Sequence, residues 1–415
     1  MLNVAIIGYG NRGRLYGRFI KSKEDLFEVV AVVDELQSKL DIAKSDFNLS
    51  DNQLFKNDKD FFAKNINVEL LIIASMDRYH YQQAIDGINK GYNILLEKPI
   101  STSIKECLEI KRLANEKHVK IVVAHVLRYT MFYKKIKEII ESGEIGEIVN
   151  LNQTENVSYW HQAHSYVRGN WANSDVTGPM ILTKCSHDLD IISWLIDKPV
   201  SKISSFGSLS HFKKENAPLN SSQYCKDCAV RRDCPFDAYR FYLNNGREWL
   251  RAIIGDDLSD SHINDFLDHN QYSRCVYKCN NNVVDHQIVN ILFKNGTTAS
   301  LTMNAFSRYC YRDIHVFGTL GEIIANFEDR IIKVNIFNDK SYEIDINNLT
   351  DDFTGHGGGD NAMMLDFYNY ITGKKFYNGL TTIDQSVLSH VLAFSAEDSR
   401  LDNGKVIDIE KIINK

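Results

Sequence analysis

Leu2-Asn3-Val4-Ala5-Ile6-Ile7-Gly8-Tyr9-Gly10-Asn11-Arg12-Gly13 decides the fold of this chain. The apolar run from Leu2 to Ile7 carries β-branched residues and predicts a buried parallel strand. Three glycines follow at once, and residues 12–21 predict a helix. Gly8 permits a tight turn, Gly10 lets a pyrophosphate approach the backbone, and Gly13 allows the helix to pack closely on the strand. The helix start offers unpaired N–H groups and the positive end of its dipole to phosphates. Asn11 and Arg12 lie in that turn and join the candidate cofactor contacts. A second apolar run, Phe27 to Val33, ends in Asp34, about twenty residues beyond the last glycine, where a carboxylate accepts hydrogen bonds from ribose hydroxyls. The same carboxylate repels a 2′-phosphate, so the pattern favours NAD over NADP.

Strand and helix signals go on alternating to about residue 124. Strands are predicted at 70–74, 93–96 and 120–124, and helices at 79–90 and 104–117. Such alternation predicts a parallel, doubly wound sheet, whose ligands bind beyond the carboxyl ends of the strands. Ser75, Met76, Asp77 and His80 follow one strand end, and Glu97-Lys98-Pro99 follows the next. Both segments open toward one cleft and are candidate cofactor contacts.

Composition excludes several classes. The 415 residues suffice for two domains with real cores. The net charge is −6, with both signs interspersed, so no basic patch predicts nucleic-acid binding. No apolar stretch reaches the roughly 20 residues that span a bilayer. The first residues enter a strand directly, without a signal peptide, which predicts a cytoplasmic enzyme. Eight cysteines in such a chain read as thiols or metal ligands rather than disulfides.

With His187-Asp188-x-Asp190-x-x-x-Trp194-Leu195 added to the glycine turn, Asp34 and Glu97-Lys98-Pro99, the chain resembles the glucose–fructose oxidoreductase / inositol dehydrogenase (Gfo/Idh/MocA) family over essentially its whole length. The resemblance implies an α/β protein: an N-terminal Rossmann domain plus a C-terminal α/β domain with a large open, mostly antiparallel sheet. It implies an NAD-linked oxidoreductase acting on a sugar, glycoside or cyclitol. It also implies oligomerisation through the open sheet, as a homodimer or homotetramer. The expected division is 1–124 for the coenzyme, 125–380 for substrate and oligomerisation, with an insertion at about 212–282, and 381–415 returning as a helix to the Rossmann domain.

Further segments supply the candidate site. By resemblance Arg128 holds a position near the nicotinamide, and Trp171 matches a tryptophan near the cofactor. The loop around Arg168, Asn170 and Trp171 mixes aromatic faces with hydrogen-bond donors, as a sugar site requires. From about Met180 to Ile196 the apolar residues fit one helix, which puts Lys184, His187 and Asp188 on neighbouring turns. Oxidation of a carbinol carbon requires removal of its hydroxyl proton. His187 suits that role, and Lys98 supplies positive charge beside the developing alkoxide. Where many relatives have an aspartate four residues before the histidine, this chain has Thr183, so Lys184 becomes a candidate for the missing polar role. His356-Gly357-Gly358-Gly359-Asp360 precedes a helix and offers His356 as a substrate contact. Asp360 as a helix cap is the plainer alternative.

Cys225-x-x-Cys228-x5-Cys234 with the distant Cys275 has the makings of a closed zinc site that would pin an insertion poor in apolar residues. Free thiols are the other reading. Two functions stay open: a plain NAD-dependent dehydrogenase, and an enzyme that retains its NAD, transiently oxidises a sugar and so cleaves or rearranges it with no net redox change.

Overall fold

The computed structural model describes residues 1–413. Its first sheet has six parallel strands: β1 (Leu2–Ile7), β2 (Phe27–Val33), β3 (Leu54–Phe55), β4 (Leu70–Ile73), β5 (Asn93–Leu96) and β6 (Ile121–Val123). Their order is β3-β2-β1-β4-β5-β6. β4 is buried at every position, as a sheet covered on both faces demands. Alternate residues of β1 feed the two covering cores: Leu2, Val4 and Ile6 enter one, Ala5 and Ile7 the other. The strand order reverses between β1 and β4, so the ligand crevice opens beyond Ile7 and Ile73.

The second sheet has nine strands: β7 (Ile148–Asn156), β8 (Val200–Ser208), β9 (His286–Phe293), β10 (Thr298–Asn304), β11 (Tyr311–Gly318), β12 (Gly321–Asn326), β13 (Ile331–Ile336), β14 (Ser341–Asp345) and β15 (Ile407–Asp408). Their order is β14-β13-β12-β11-β7-β10-β9-β8-β15. Only β7 with β10 is parallel; the other pairs are antiparallel. β9 alternates exposed and buried residues along its length, the mark of a sheet with one packed and one open face. The packed face turns Gln153, Glu155 and Arg312 inward, and these polar positions matter below.

The C-terminal helix Ile383–Leu401 ties the two sheets together. Thr381 and Thr382 meet Val122 and Val123 of β6, while the chain beyond the helix pairs β15 with β8. Residues 414 and 415 lie outside the described residues.

The insertion carries more apolar structure than its sequence promised. Helices Ala238–Asn244, Arg247–Ile254 and Asp260–Asp268 gather Tyr242, Leu250, Ile263 and Leu267 into a small core of their own.

Candidate active site

The Gly8–Gly13 turn is shaped for a dinucleotide. Gly8 has φ +87°, and a side chain there would run into the Ala74 carbonyl. A Cβ on Gly10 would meet nothing within 4 Å, so the backbone stands open where a pyrophosphate must approach. Gly10 caps the helix Asn11–Lys21 with no side-chain hydrogen bond, which leaves the first-turn N–H groups for an anion. Asp34 ends β2, and its carboxylate accepts from Tyr9 N at 2.8 Å and Leu36 N at 3.0 Å. Those bonds fix the carboxylate beside the turn. The residues present therefore fit a dinucleotide.

Lys98 leaves the end of β5 and donates from Nζ to the Thr183 carbonyl at 2.5 Å. That carbonyl is available because the helix expected over 180–196 is two helices, Met180–Thr183 and Ser186–Ile196, broken at Lys184 and Cys185. An unbroken helix would have spent the Thr183 C=O on the His187 N–H. The break brings Lys98 beside the turn that leads into His187. Burial lowers the Lys98 ammonium to about 8; Glu97 opposes the fall and Lys184 adds to it.

His187 is buried, and its Nδ1 has no hydrogen-bond partner. Burial, with Lys98, His125 and His356 nearby, holds its pKa well below the usual imidazole value, so the ring is neutral at neutral pH and able to accept a proton. The His125 ring lies 5.6 Å away on one side and the His356 ring 5.9 Å away on the other. Lys184 turns toward β7, where its Nζ is 3.2 Å from Glu155 Oε1. Glu155 also pairs with Arg312, and Arg312 Nε donates to Asp188 Oδ1 at 2.9 Å. Burial pushes Glu155 up, but Arg312 and Lys184 outweigh it and hold the carboxyl below its ordinary range. Asp188 is raised by burial, with the Glu155 charge adding to that against the pull of Arg312.

On the cofactor side, Trp171 Nε1 donates to Asp77 Oδ2 at 3.0 Å, and Ser75 Oγ donates to Gln83 at 2.7 Å. Met76 stays half-exposed beside them.

The comparisons with known proteins agree with this architecture. The oxidoreductase-family Rossmann domain described as NAD-binding matches residues 2–125, and the same family's C-terminal alpha/beta domain matches residues 137–387. The chain belongs to the Gfo/Idh/MocA oxidoreductase family. It is 21% identical over 391 residues to YteT of Bacillus subtilis (strain 168), an oxidoreductase by name, covering 89% of each chain. It is 28% identical over 199 residues to an inositol 2-dehydrogenase of Serratia proteamaculans (strain 568), 47% of this chain and 55% of that protein. Among solved structures, the WlbA dehydrogenase of Bordetella pertussis, in complex with NADH and UDP-GlcNAcA, superposes with a TM-score of 0.71 at 17% identity over 98% of this chain and 97% of that one.

Within this Gfo/Idh/MocA chain, several expected contacts have other partners. Arg128 makes a buried two-pronged pair with Asp190, both bonds 2.6 Å, and reaches Gln385 at 3.0 Å. It clamps the helix Ser186–Ile196 to the C-terminal helix Ile383–Leu401. Arg168 points into the insertion, where it donates to the Arg274 and Phe236 carbonyls at 2.7 Å and to Cys225 Sγ at 3.8 Å. His80 sets both ring nitrogens against carbonyls, Pro99 O at 2.7 Å and Ser75 O at 3.1 Å, and so joins two cleft turns. Arg12 is engaged by Glu97 and Asp360. Asn11 and Asn170 are exposed.

The zinc expectation fails. Cys225, Cys228, Cys234 and Cys275 do line one cavity, with Arg168 beside them. Yet among the described residues no three His, Cys, Asp or Glu side chains come close enough to hold a metal ion. The insertion is held by its own apolar core instead.

Glu155, Arg312 and His125 join the candidate site without a sequence motif that marks them. Glu155 and Arg312 stand on strands of mixed polarity, and only the sheet register turns them inward. His125 carries one legible signal: it stands two residues beyond β6, at a strand end of the coenzyme sheet.

Proposed function

We propose that this chain is an NAD-dependent dehydrogenase of a secondary alcohol on a sugar, glycoside or cyclitol. One observation carries the reading: Lys98 Nζ on the Thr183 carbonyl joins the end of β5 to the turn that leads into His187. His187, neutral and with Nδ1 unpartnered, accepts the hydroxyl proton. The Lys98 ammonium stabilises the oxygen as negative charge builds on it. Lys184, paired with Glu155, and His356 bind the remaining hydroxyls. Gly8, Gly10, Asn11, Gly13, Asp34, Ser75, Met76, Asp77 and Trp171 hold the coenzyme, which when bound supplies the hydride acceptor. Residues 1–124 serve the coenzyme and 125–380 the substrate. Phe206, Ile288, Leu292 and Ile324 share the open face of the large sheet and are all exposed. We assign that face to a homodimer or homotetramer, with the mass in solution by light scattering as the check. A monomer would refute it.

Asp34→Ala should weaken NAD binding about tenfold or more and narrow the preference over NADP, because a charged acceptor for two ribose hydroxyls is lost. Titration of both coenzymes measures this, and an unchanged preference removes Asp34 from the role.

The second reading, transient oxidation with retained coenzyme, draws support from the number of proton-carrying groups around one hydroxyl site: Lys98, Lys184, His187 and His356. Denaturing the purified protein and measuring released NAD(H) tells the readings apart. Near-stoichiometric release after gel filtration favours retained coenzyme and glycoside cleavage. A coenzyme-free protein that forms NADH with sugars or cyclitols favours the dehydrogenase.

A further inference from the structure

Arg12 lies in the first turn of the helix Asn11–Lys21, on the backbone that would receive a pyrophosphate. Its guanidinium is spent on two buried carboxylates: Nε on Glu97, and Nη2 at 2.5 Å from Asp360 Oδ1. Asp360 uses its other oxygen on His356, accepting from the main-chain N–H at 3.1 Å and facing Nδ1 at 3.0 Å. His356 is the ring neighbour of His187. One buried carboxylate therefore connects the dinucleotide turn to the imidazole beside the proposed base.

The segment carrying His356 is anchored elsewhere at Thr354, which donates to Asp352 and accepts from Asn361. Gly355, Gly357 and Gly358 have φ of 59°, 60° and 81°, conformations open to glycine. None of residues 354–357 is buried, and the His356 side chain is 43% exposed. A segment with so little burial opens at low cost.

We propose that Arg12 and Asp360 are positioning residues that link coenzyme at the Gly8–Gly13 turn to the placement of His356 beside His187. The segment 355–358 is held firmly once that turn is occupied. This rests on the NAD reading above. Phosphates at the helix start fix the first-turn backbone, the ion pair passes that constraint to Asp360, and Asp360 grips His356 through two donors. By linkage, a held His356 tightens coenzyme binding by the same factor.

Hydrogen–deuterium exchange read by mass spectrometry tests this with NADH as the probe. In the wild type, NADH should slow exchange over 353–359 by about tenfold, besides protecting 8–14. In Asp360→Asn and Arg12→Met at saturating NADH, 8–14 should still be protected and 353–359 should not. Near-UV circular dichroism verifies the fold of each variant. If Asp360→Asn does not fold, Arg12→Lys carries the test, since it keeps the charge without the fork that spans two carboxylates. Equal exchange of 353–359 with and without NADH in the wild type overturns the linkage, as does protection that survives in the variants. A wild type that neither binds NADH nor protects 8–14 overturns the NAD reading, and the linkage with it.

Discussion

Lys98→Ala should lower kcat/KM by about a thousandfold or more while leaving the NAD dissociation constant within a few-fold of wild type. The magnitude is that of losing a positioned proton-transfer or charge-stabilising group inside a water-poor site. Lys98 stands at the carboxyl end of β5, and its ammonium reaches across the cleft to the Thr183 carbonyl. The pyrophosphate, by contrast, meets backbone of the Gly8–Gly13 turn, which the substitution does not touch. Steady-state kinetics with a separate coenzyme titration resolves the two effects. Turnover that survives the substitution would sink the assignment of Lys98.

The same group predicts a pH dependence. With its pKa lowered to about 8, Lys98 is an ammonium below that pH and a neutral amine above it. If its task is to stabilise an alkoxide, kcat/KM for oxidation falls as pH rises through about 8. His187 contributes no limb near neutrality, since its pKa lies well below the ordinary value and the ring stays neutral there. A profile that rises through that region would make Lys98 the base in its amine form.

Arg312→Met should cost about 3–5 kcal/mol of stability, because it strands two buried carboxylates whose charges the guanidinium now offsets. Arg312 pairs with Glu155 and donates to Asp188 at 2.9 Å, and both carboxylates are almost wholly buried. Lys184 would remain paired with Glu155, and Asp188 would keep Gln153 as its donor at 2.6 Å. Methionine fills much of the volume without a charge. Arg312→Lys should lose less, since it restores the charge but not the two-carboxylate fork. Urea and thermal melts measure the loss. A Met variant as stable as the wild type would mean that Glu155 and Asp188 take up protons at little cost, contrary to the hold of Arg312 and Lys184 that keeps the Glu155 carboxyl below its ordinary range.

The coenzyme sheet was legible from residues 1–124 because its signals are local. A four-residue strand such as β4 is apolar throughout, the glycines sit where the chain must turn, and Asp34 ends a strand at the expected distance. Each of these is set within a few residues, so the pattern survives without knowledge of the fold. The large sheet follows both from the family motifs and from strand-like runs at 288–293, 298–303, 314–317 and 322–326, all of which are strands in the structure. β7, β8, β13 and β14 give weaker strand signals, because they mix polar and apolar residues and their inner and outer faces are defined only by their neighbours.

Sequence alone also determined the two ends of the proposed chemistry, Lys98 after β5 and His187 in the His-Asp-x-Asp segment. It could not decide what the arginines and cysteines do. Arg128, Arg168 and Arg12 are all donor-rich and all near motif positions, yet each is claimed by a partner distant in sequence: Asp190, the insertion backbone, and Glu97 with Asp360. Cys225, Cys228, Cys234 and Cys275 have spacing suited to a metal, but a ligand set requires convergence in space, which the insertion does not give them. Glu155 meets Arg312 because β11 pairs with β7 in the register that sets them opposite each other, both turned inward. Local signals fix a strand, a turn or a helix because their causes lie within one or two turns of chain. The partner of a charged side chain depends on which distant segments fold beside it, and that only the tertiary structure decides.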